Sequence, residues 1–308
     1  MIKGGLEIDN LDNKDLEVLC FINKYKFIRS QDFAYLYNNK KYYNYKIKTL
    51  EKAGHIRKVG WYYVLGSNGR KQIEELGYKY NRLQYNDEFI TRQKVISHFA
   101  AKYYKNKNII FIPSIDLKDT RVLTATARKF IGSISIDNTK YLTYYISEKH
   151  TPIYIRHLLY DIKKEKLYNN FIVFVEDIDK IDIQSFVFGR NRLYIVSNNS
   201  ESIKLIENID KIDYQKVFTN TYKEKVYLSG HNFCEYYINE SHFVYTMPLI
   251  NPEKIINIKY FTLENKHIKV DVLYSKNISP ILLKNLNGVK LIPIDYSKYI
   301  QEEFRTYE

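Results

Sequence analysis

Residues 30–77 read SQDFAYLYNNKKYYNYKIKTLEKAGHIRKVGWYYVLGSNGRKQIEELG, and the order of elements in this stretch decides the fold. Ser30 is placed to cap a helix, QDFAYLY, that buries Phe33 and Leu36. Asn38 and Asn39 make a turn, and a longer helix is predicted from Lys40 to Ala53. Gly54 stands where a left-handed C-terminal cap is wanted. HIRKV and WYYVL then flank Gly60 as two β-rich runs around a glycine, which signals a hairpin, and RKQIEEL forms a helix ending at Gly77. Working outward, Asn13 is expected to cap a first helix carrying Leu16, Leu19 and Cys20 at helical spacing, followed by Phe27-Ile28-Arg29 as a short extended piece. Helix, short strand, helix, helix, two-strand wing and closing helix is the order of a winged helix-turn-helix, assigned to residues 1–86.

The helix expected over 40–53 has two unlike sides. With Tyr43 at zero and about 100° per residue, Ile47 falls near 40° and Leu50 near −20°, an apolar side. Lys41, Tyr45, Lys48 and Lys52 fall at about 160°, 200°, 140° and 180°, with Asn44 on their flank near 100°. A major groove about 12 Å wide admits one such helix, and base edges there are read by paired donors and acceptors. Asn44 is the residue suited to adenine. Lys41 and Lys48 suit phosphate, with guanine within reach of Lys41 near the helix start, Lys40 and Lys52 join them as DNA-binding residues, and Tyr45 suits a thymine methyl or a phosphate. Arg57 and Lys58 extend the basic surface onto the wing, and Ser30 and Gln31 offer free backbone N–H groups at the start of the second helix.

Charge supports this placement. Forty-eight Lys and Arg against 35 Asp and Glu give a net charge of +13. Residues 1–86 hold 16 basic and 9 acidic residues, and residues 38–58 alone hold Lys40, Lys41, Lys46, Lys48, Lys52, Arg57 and Lys58 against Glu51. A polyanionic partner is therefore favoured, and duplex DNA is the one that fits the element order. Cys20 and Cys234 are far apart with no CxxC or histidine-rich neighbour, which suggests neither a disulfide framework nor a zinc site. With no apolar run behind the N-terminal lysine and none of about 18 residues elsewhere, a cytoplasmic protein without a membrane span is expected. The excess of Tyr, Lys, Asn and Ile is what AT-rich codons specify, so a low-GC source and an AT-rich target are expected.

Residues 78–86 are polar and aperiodic and read as a linker. From 87 to 308 helices alternate with apolar strands, which predicts a larger mixed domain of the α+β / α/β class for assembly or partner binding, with a division near 200–220. The helices are DEFITRQKVISHFAAKYY, TPIYIRHLLYDIKK, SESIKLIENI and SPILLKNL, and the strands are IIFIP, FIGSISI, KYLTYYI, FIVFVE, RLYIVS, IKVDVLY and VKLIPI. A short echo joins Ile178–Phe188 to Ile209–Phe218, for which chance in a restricted vocabulary is the simpler explanation.

Catalytic signals are weak. The chain has no HxH, no HExxH and no GxxxxGK[ST]. Glu176, Asp177, Asp179 and Asp182 suit helix capping and solvation better than Mg²⁺. Arg156 and His157 beside a tyrosine do not assemble a nucleophile site, and His157 reads as a residue on a helix face. No catalytic residue, metal ligand or cofactor is expected.

LEVLCFINKYKFIRSQDFAYLY, KIKTLEKAGHIRKV and WYYVLGSNGRKQIEEL, within residues 14–77, resemble the winged-helix part of the plasmid replication-relaxation protein family of Gram-positive bacteria. The resemblance implies that a restriction-endonuclease-like core follows, and the order helix, strand, hairpin, helix, strand over 87–176 is similar. Such a core needs an early acid and a (D/E)xK to hold Mg²⁺ and activate water. Here Glu148 is followed at the lysine position by His150, so a degenerate, non-catalytic copy is implied.

The sequence therefore predicts a site-specific duplex-DNA-binding protein of a plasmid or other mobile element, acting in replication, its control or conjugative transfer. A homodimer and replication or transfer proteins are the expected partners. A repressor with a C-terminal dimerisation or sensor domain, and a relaxase or nuclease, stand as alternatives. The missing acid and lysine predict that the purified protein neither cuts nor nicks supercoiled DNA with Mg²⁺ or Mn²⁺. Metal-dependent nicking that is abolished by Glu148→Ala would contradict this.

Overall fold

The computed structural model describes residues 11–37, 42–80, 87–106, 108–117, 129–136, 138–189, 192–230, 235–284 and 286–301. The protein is mixed α+β, with ten α-helices and three sheets among the described residues, and divides into two compact units at 119/120.

In the first unit the chain runs α1 (Asn13–Tyr25), β1 (Ile28–Arg29), α2 (Phe33–Tyr37), α3 (Tyr43–Lys52), β2 (Ile56–Val59), β3 (Tyr62–Leu65), α4 (Ser67–Glu75), α5 (Asp87–Lys102), β4 (Ile109–Pro113) and α6 (Ser114–Leu117). α1 starts one residue earlier than expected: Asp12 caps it, accepting from Asp15 N at 2.8 Å while Asp15 accepts from Asp12 N at 3.2 Å, and Asn13 is the first helical residue. Ser30 caps no α-helix either, since Ser30–Asp32 is a 3-10 turn without a side-chain cap and α2 begins at Phe33. α3 is shorter than the 40–53 expected.

β3 is the centre of a three-stranded antiparallel sheet, with β1 on one side and β2 on the other. One core joins Val18, Leu19 and Ile22 of α1, Phe33 and Leu36 of α2, Ile47 and Leu50 of α3, Ile56, Tyr63 and Leu65 of the sheet, Ile73 of α4, and Ala100 and Ala101 of α5. The last two residues correct the expected domain boundary at 86/87: α5 fills the same core as α1–α4 and belongs to the first unit. Polar contacts agree, because His98 and Arg29 both reach the buried Asp32, at 3.1 and 2.9 Å, and Ser97 Oγ donates to Phe27 O. Of the expected linker, Tyr80 lies under the Arg70 guanidinium at 4.7 Å, and residues 81–86 lie outside the described residues.

The second unit contains β5 (Phe130–Ile136), β6 (Thr139–Ile146), α7 (Pro152–Lys164), β7 (Asn170–Val175), β8 (Arg192–Ser197), α8 (Ser200–Ile206), α9 (Tyr214–Thr221), β9 (Tyr227–Leu228), β10 (Tyr236–Asn239), β11 (His242–Met247), α10 (Pro252–Glu264), β12 (Lys269–Ser275) and β13 (Val289–Ile294). β5–β8 are neighbours in that order in one sheet, and β9–β13 form the other. Ile195 N of β8 donates to Ile250 O, just after β11, at 2.9 Å and bridges the two sheets. Residues 200–220 hold α8 and α9 and separate the sheets within one compact unit.

The two halves of this unit repeat one plan. An antiparallel hairpin (β5–β6, β10–β11) leads through a helix to two parallel strands (β7–β8, β12–β13). The helices α7 and α10 are each 13 residues long, each starts on a proline, and each is capped by the preceding side chain, Thr151 or Asn251, one hundred positions apart. This is not the echo read in the sequence. Ile178–Lys180 and Ile209–Lys211 are both 3-10 turns, but one continues as a further 3-10 turn and the other as α9. SPILLKNL, expected as a helix, makes only a 3-10 turn over Pro280–Leu283, and HFVYTM and α10 were not anticipated.

The turn after α3 is held by a close backbone approach. Gly66 N donates to His55 O at 2.8 Å and Asn68 Nδ2 to Ala53 O at 2.7 Å. A Cβ on Gly69 would lie 2.1 Å from His55 O, and one on Gly66 would lie 2.2 Å from Gly54 O. Gly69→Ala is therefore expected to destabilise the protein by about 3 kcal/mol in chemical denaturation followed by circular dichroism. Gly230→Ala, whose added methyl meets nothing within 4 Å, is expected to be close to neutral. Equal effects of the two substitutions would contradict the clamp.

Candidate nucleic-acid interface

α3 is laid down by its apolar side. Ile47 and Leu50 are 4% and 2% exposed, whereas Asn44, Tyr45, Lys48 and Lys52 all face solvent. The two sides follow from the spacing: residues three and four apart share a face, so one pair of apolar positions fixes which polar positions point away. β2 leaves the end of α3 with Ile56 buried and Arg57, Lys58 and Val59 exposed. The exposed cations of α3 are thus followed directly by those of the hairpin. Lys40 and Lys41 lie outside the described residues. Ser30 and Gln31 are exposed but belong to the 3-10 turn ahead of α2, so they do not form the helix N-terminus expected of them.

Lys46, counted with the basic residues of 38–58, has a different task. It is mostly buried, and its Nζ lies 2.7 Å from Asp12 Oδ2 and 2.7 Å from Asp15 Oδ2. Tyr37 OH donates to the other oxygen of Asp15 at 2.7 Å. Burial works against the ammonium charge, but hydrogen bonds to the two carboxylates more than offset it and hold Lys46 above the ordinary lysine range. Burial, and then Asp15, push the Tyr37 hydroxyl far above the ordinary tyrosine range, so it stays a donor. The group ties α3 to the start of α1 and removes one cation from the outer surface.

Two residues were missed in the sequence. Trp61 stands at the hairpin tip beside Gly60 (φ 61°) and is 86% exposed. The signal available was the single tryptophan of a tyrosine-rich chain, placed where a hairpin turns. Lys94 of α5 reaches the turn end of the same hairpin, its Nζ 4.6 Å from the ring centre of Tyr62, which pairs with Val59, and 5.6 Å from that of Phe27. Only the packing of α5 into this unit brings it there. Beneath the surface, burial raises the pKa of Asp32, but hydrogen bonds from His98 and Arg29 outweigh it and hold the carboxyl below its ordinary range. Its contribution to stability is present above the ordinary Asp range and fades as pH falls through the lowered value.

The acids weighed for metal binding are used locally. Asp177 accepts from Asp179 N and meets Lys180 at 2.6 Å, Asp182 accepts from Gln184 N, and Glu176 accepts from Glu148 N and from the Tyr145 hydroxyl. Among the described residues no group of three His, Cys, Asp or Glu side chains comes together as a metal site, and no helix is long and apolar enough to cross a membrane. No protein-family description and no curated protein matches the chain.

Two neighbouring lysines of α3 give opposite expectations. Lys46→Ala strips Asp15 of its cation and should lower unfolding stability by about 2 kcal/mol. On the reading of this face as a DNA interface, it should leave the salt dependence of binding unchanged. Lys48→Ala should leave stability unchanged and lower the slope of log K against log salt by about 0.9. Denaturation and salt-dependent binding titrations measure both effects, and a reversed pattern would contradict the assignment.

Proposed function

We propose that the first unit is a winged helix-turn-helix that binds duplex DNA site-specifically, with α3 in the major groove and the β2–β3 hairpin as the wing. The observation that carries this reading is the exposed row Asn44, Tyr45, Lys48 and Lys52 on α3, continued by Arg57, Lys58 and Trp61, above a side held down by Ile47 and Leu50. An amphipathic helix whose outward side carries an amide, a phenol and two lysines has what base reading and phosphate neutralisation require. Lys48, Lys52, Arg57 and Lys58 neutralise phosphates, Asn44 reads an adenine edge, and Tyr45 packs on a thymine methyl or bonds a phosphate. Lys40 and Lys41 extend the same cationic row in sequence.

The role in replication, its control or conjugative transfer of a plasmid or other mobile element rests on the resemblance of residues 14–77 to the replication-relaxation family. Within this reading the protein acts without chemistry of its own, and a second copy of the chain supplies the second half-site. One module covers roughly 600 to 1,000 Å², and coupling two strengthens binding by about 10² to 10⁴ without a new kind of contact.

The test separates reading from holding. On a site selected from random duplexes, Asn44→Ala is expected to lose about 1 to 3 kcal/mol while binding to unselected DNA is unchanged. Equal losses on selected and unselected DNA would remove Asn44 as a base reader. Failure of the full-length protein to select or bind any duplex would remove the reading itself.

A further inference from the structure

The second unit carries a cationic surface that its own fold does not require. On α7, Arg156, Lys163 and Lys164 face solvent, and Lys166 follows just beyond the helix. The acids of the same segment are turned inward: Glu165 is 2% exposed and accepts from Leu167 N, and Asp161 accepts from Lys129 N at 2.8 Å. The outer side of α7 is therefore positive with no carboxylate interspersed. Beyond Leu167 the surface continues into an open cleft of about 630 Å³ at the N-terminal ends of the parallel strands. Lys140, Arg192, Asn138, Asn169 and Asn170 contribute to that cleft, and among the described residues none that lines it is acidic.

The repeat inside the unit provides the control. α10 has the same length, the same proline start and the same kind of cap as α7, and it follows an equivalent hairpin. Its lysines are Lys254, tied to Glu235 at 2.5 Å, and the half-buried Lys259, its exposed charged residue is Glu264, and Lys266 just beyond the helix is the counterpart of Lys166. The same architecture thus stands with a single exposed cation, Lys266, beside the exposed Glu264, where α7 and its end expose Arg156, Lys163, Lys164 and Lys166. An ordinary solvated helix surface mixes both signs, whereas the exposed charges of α7 and of its cleft are cations among the described residues, set beside the exposed Ile153, Tyr160 and Leu167. Such cations with asparagines are what contacts a sugar-phosphate backbone.

We propose that the outer side of α7 and the adjoining cleft form a second DNA-binding surface, which takes the phosphate backbone of duplex DNA. The identity of the polyanion rests on the reading of the first unit, while the existence of the surface does not. Binding here is independent of base sequence, because lysine, arginine and asparagine on phosphate read charge and spacing only.

The experiment is a salt titration of the full-length protein on a duplex of about 40 bp, four turns of helix, using four proteins. These are the wild type, the triple variant Arg156→Gln/Lys163→Gln/Lys166→Gln, its charge-preserving counterpart Arg156→Lys/Lys163→Arg/Lys166→Arg, and Lys48→Ala. The triple variant is expected to lower the slope of log K against log salt by about 2.7, at about 0.9 per phosphate contact. The charge-preserving variant is expected to keep the wild-type slope. A wild-type slope in the triple variant overturns the proposal, and if Lys48→Ala still lowers the slope, the reading of the first unit stands. The reverse pattern, a loss in the triple variant and none in Lys48→Ala, supports this surface and removes the other. Should the triple variant bind DNA like the wild type but lose retention on phosphatidylserine vesicles, a membrane is the occupant and the proposal is overturned.

Discussion

The orientation of α3 depends on how little holds it down. Its buried side chains are Ile47 and Leu50, with Tyr43 partly buried against the same core, a narrow apolar side for a ten-residue helix that leaves rotation about the helix axis weakly fixed. Two polar devices supply what the hydrophobic contact lacks. At the N-terminal half, Lys46 is held between Asp12 and Asp15 of α1; at the C-terminal end, the turn through Gly54 and His55 is pressed against the backbone of Gly66 and Gly69. The second device admits no side chain on either glycine, so the closing helix, the hairpin and α3 are locked as one piece. Which residues α3 shows to solvent follows from these constraints.

The first unit was largely legible in the sequence because its signals are local. Spacing of Ile47 and Leu50, glycines at 54, 60 and 77, and β-branched and aromatic runs on both sides of Gly60 depend on neighbours within a few residues. All three glycines take positive φ. What escaped was long-range. Nothing near Lys46 announces that its partners lie more than thirty residues upstream, so it was counted as surface charge. Likewise, α5 was assigned to the other domain because the polar stretch at 78–86 looks like a boundary, whereas Ala100 and Ala101 fit only into the core of the first unit.

In the second unit the strands were legible and the plan was not. Buried parallel strands such as FIVFV read as apolar runs whatever their neighbours, so β5–β8, β12 and β13 were anticipated. The repeat was hidden because it resides in the order of elements and in the Thr-Pro and Asn-Pro starts of α7 and α10, with little shared side-chain identity between them. Once the halves are compared, the charge over residues 87–308 is seen to be uneven: the first half presents a cationic outer helix and the second half does not. Asp177 and Asp182, acids weighed for metal chemistry in the sequence, make local capping contacts.

Trp61 gives the central claim its most direct test, since it is the only tryptophan of the chain and stands almost fully exposed at the hairpin tip. Its fluorescence can be followed without a label while labelled duplex DNA reports binding independently by anisotropy. The account predicts that Trp61 emission is quenched in step with binding and recovers as salt is raised, because the hairpin then leaves the DNA as phosphate contacts weaken. Unchanged Trp61 emission at DNA concentrations where anisotropy shows the full-length protein bound would contradict it.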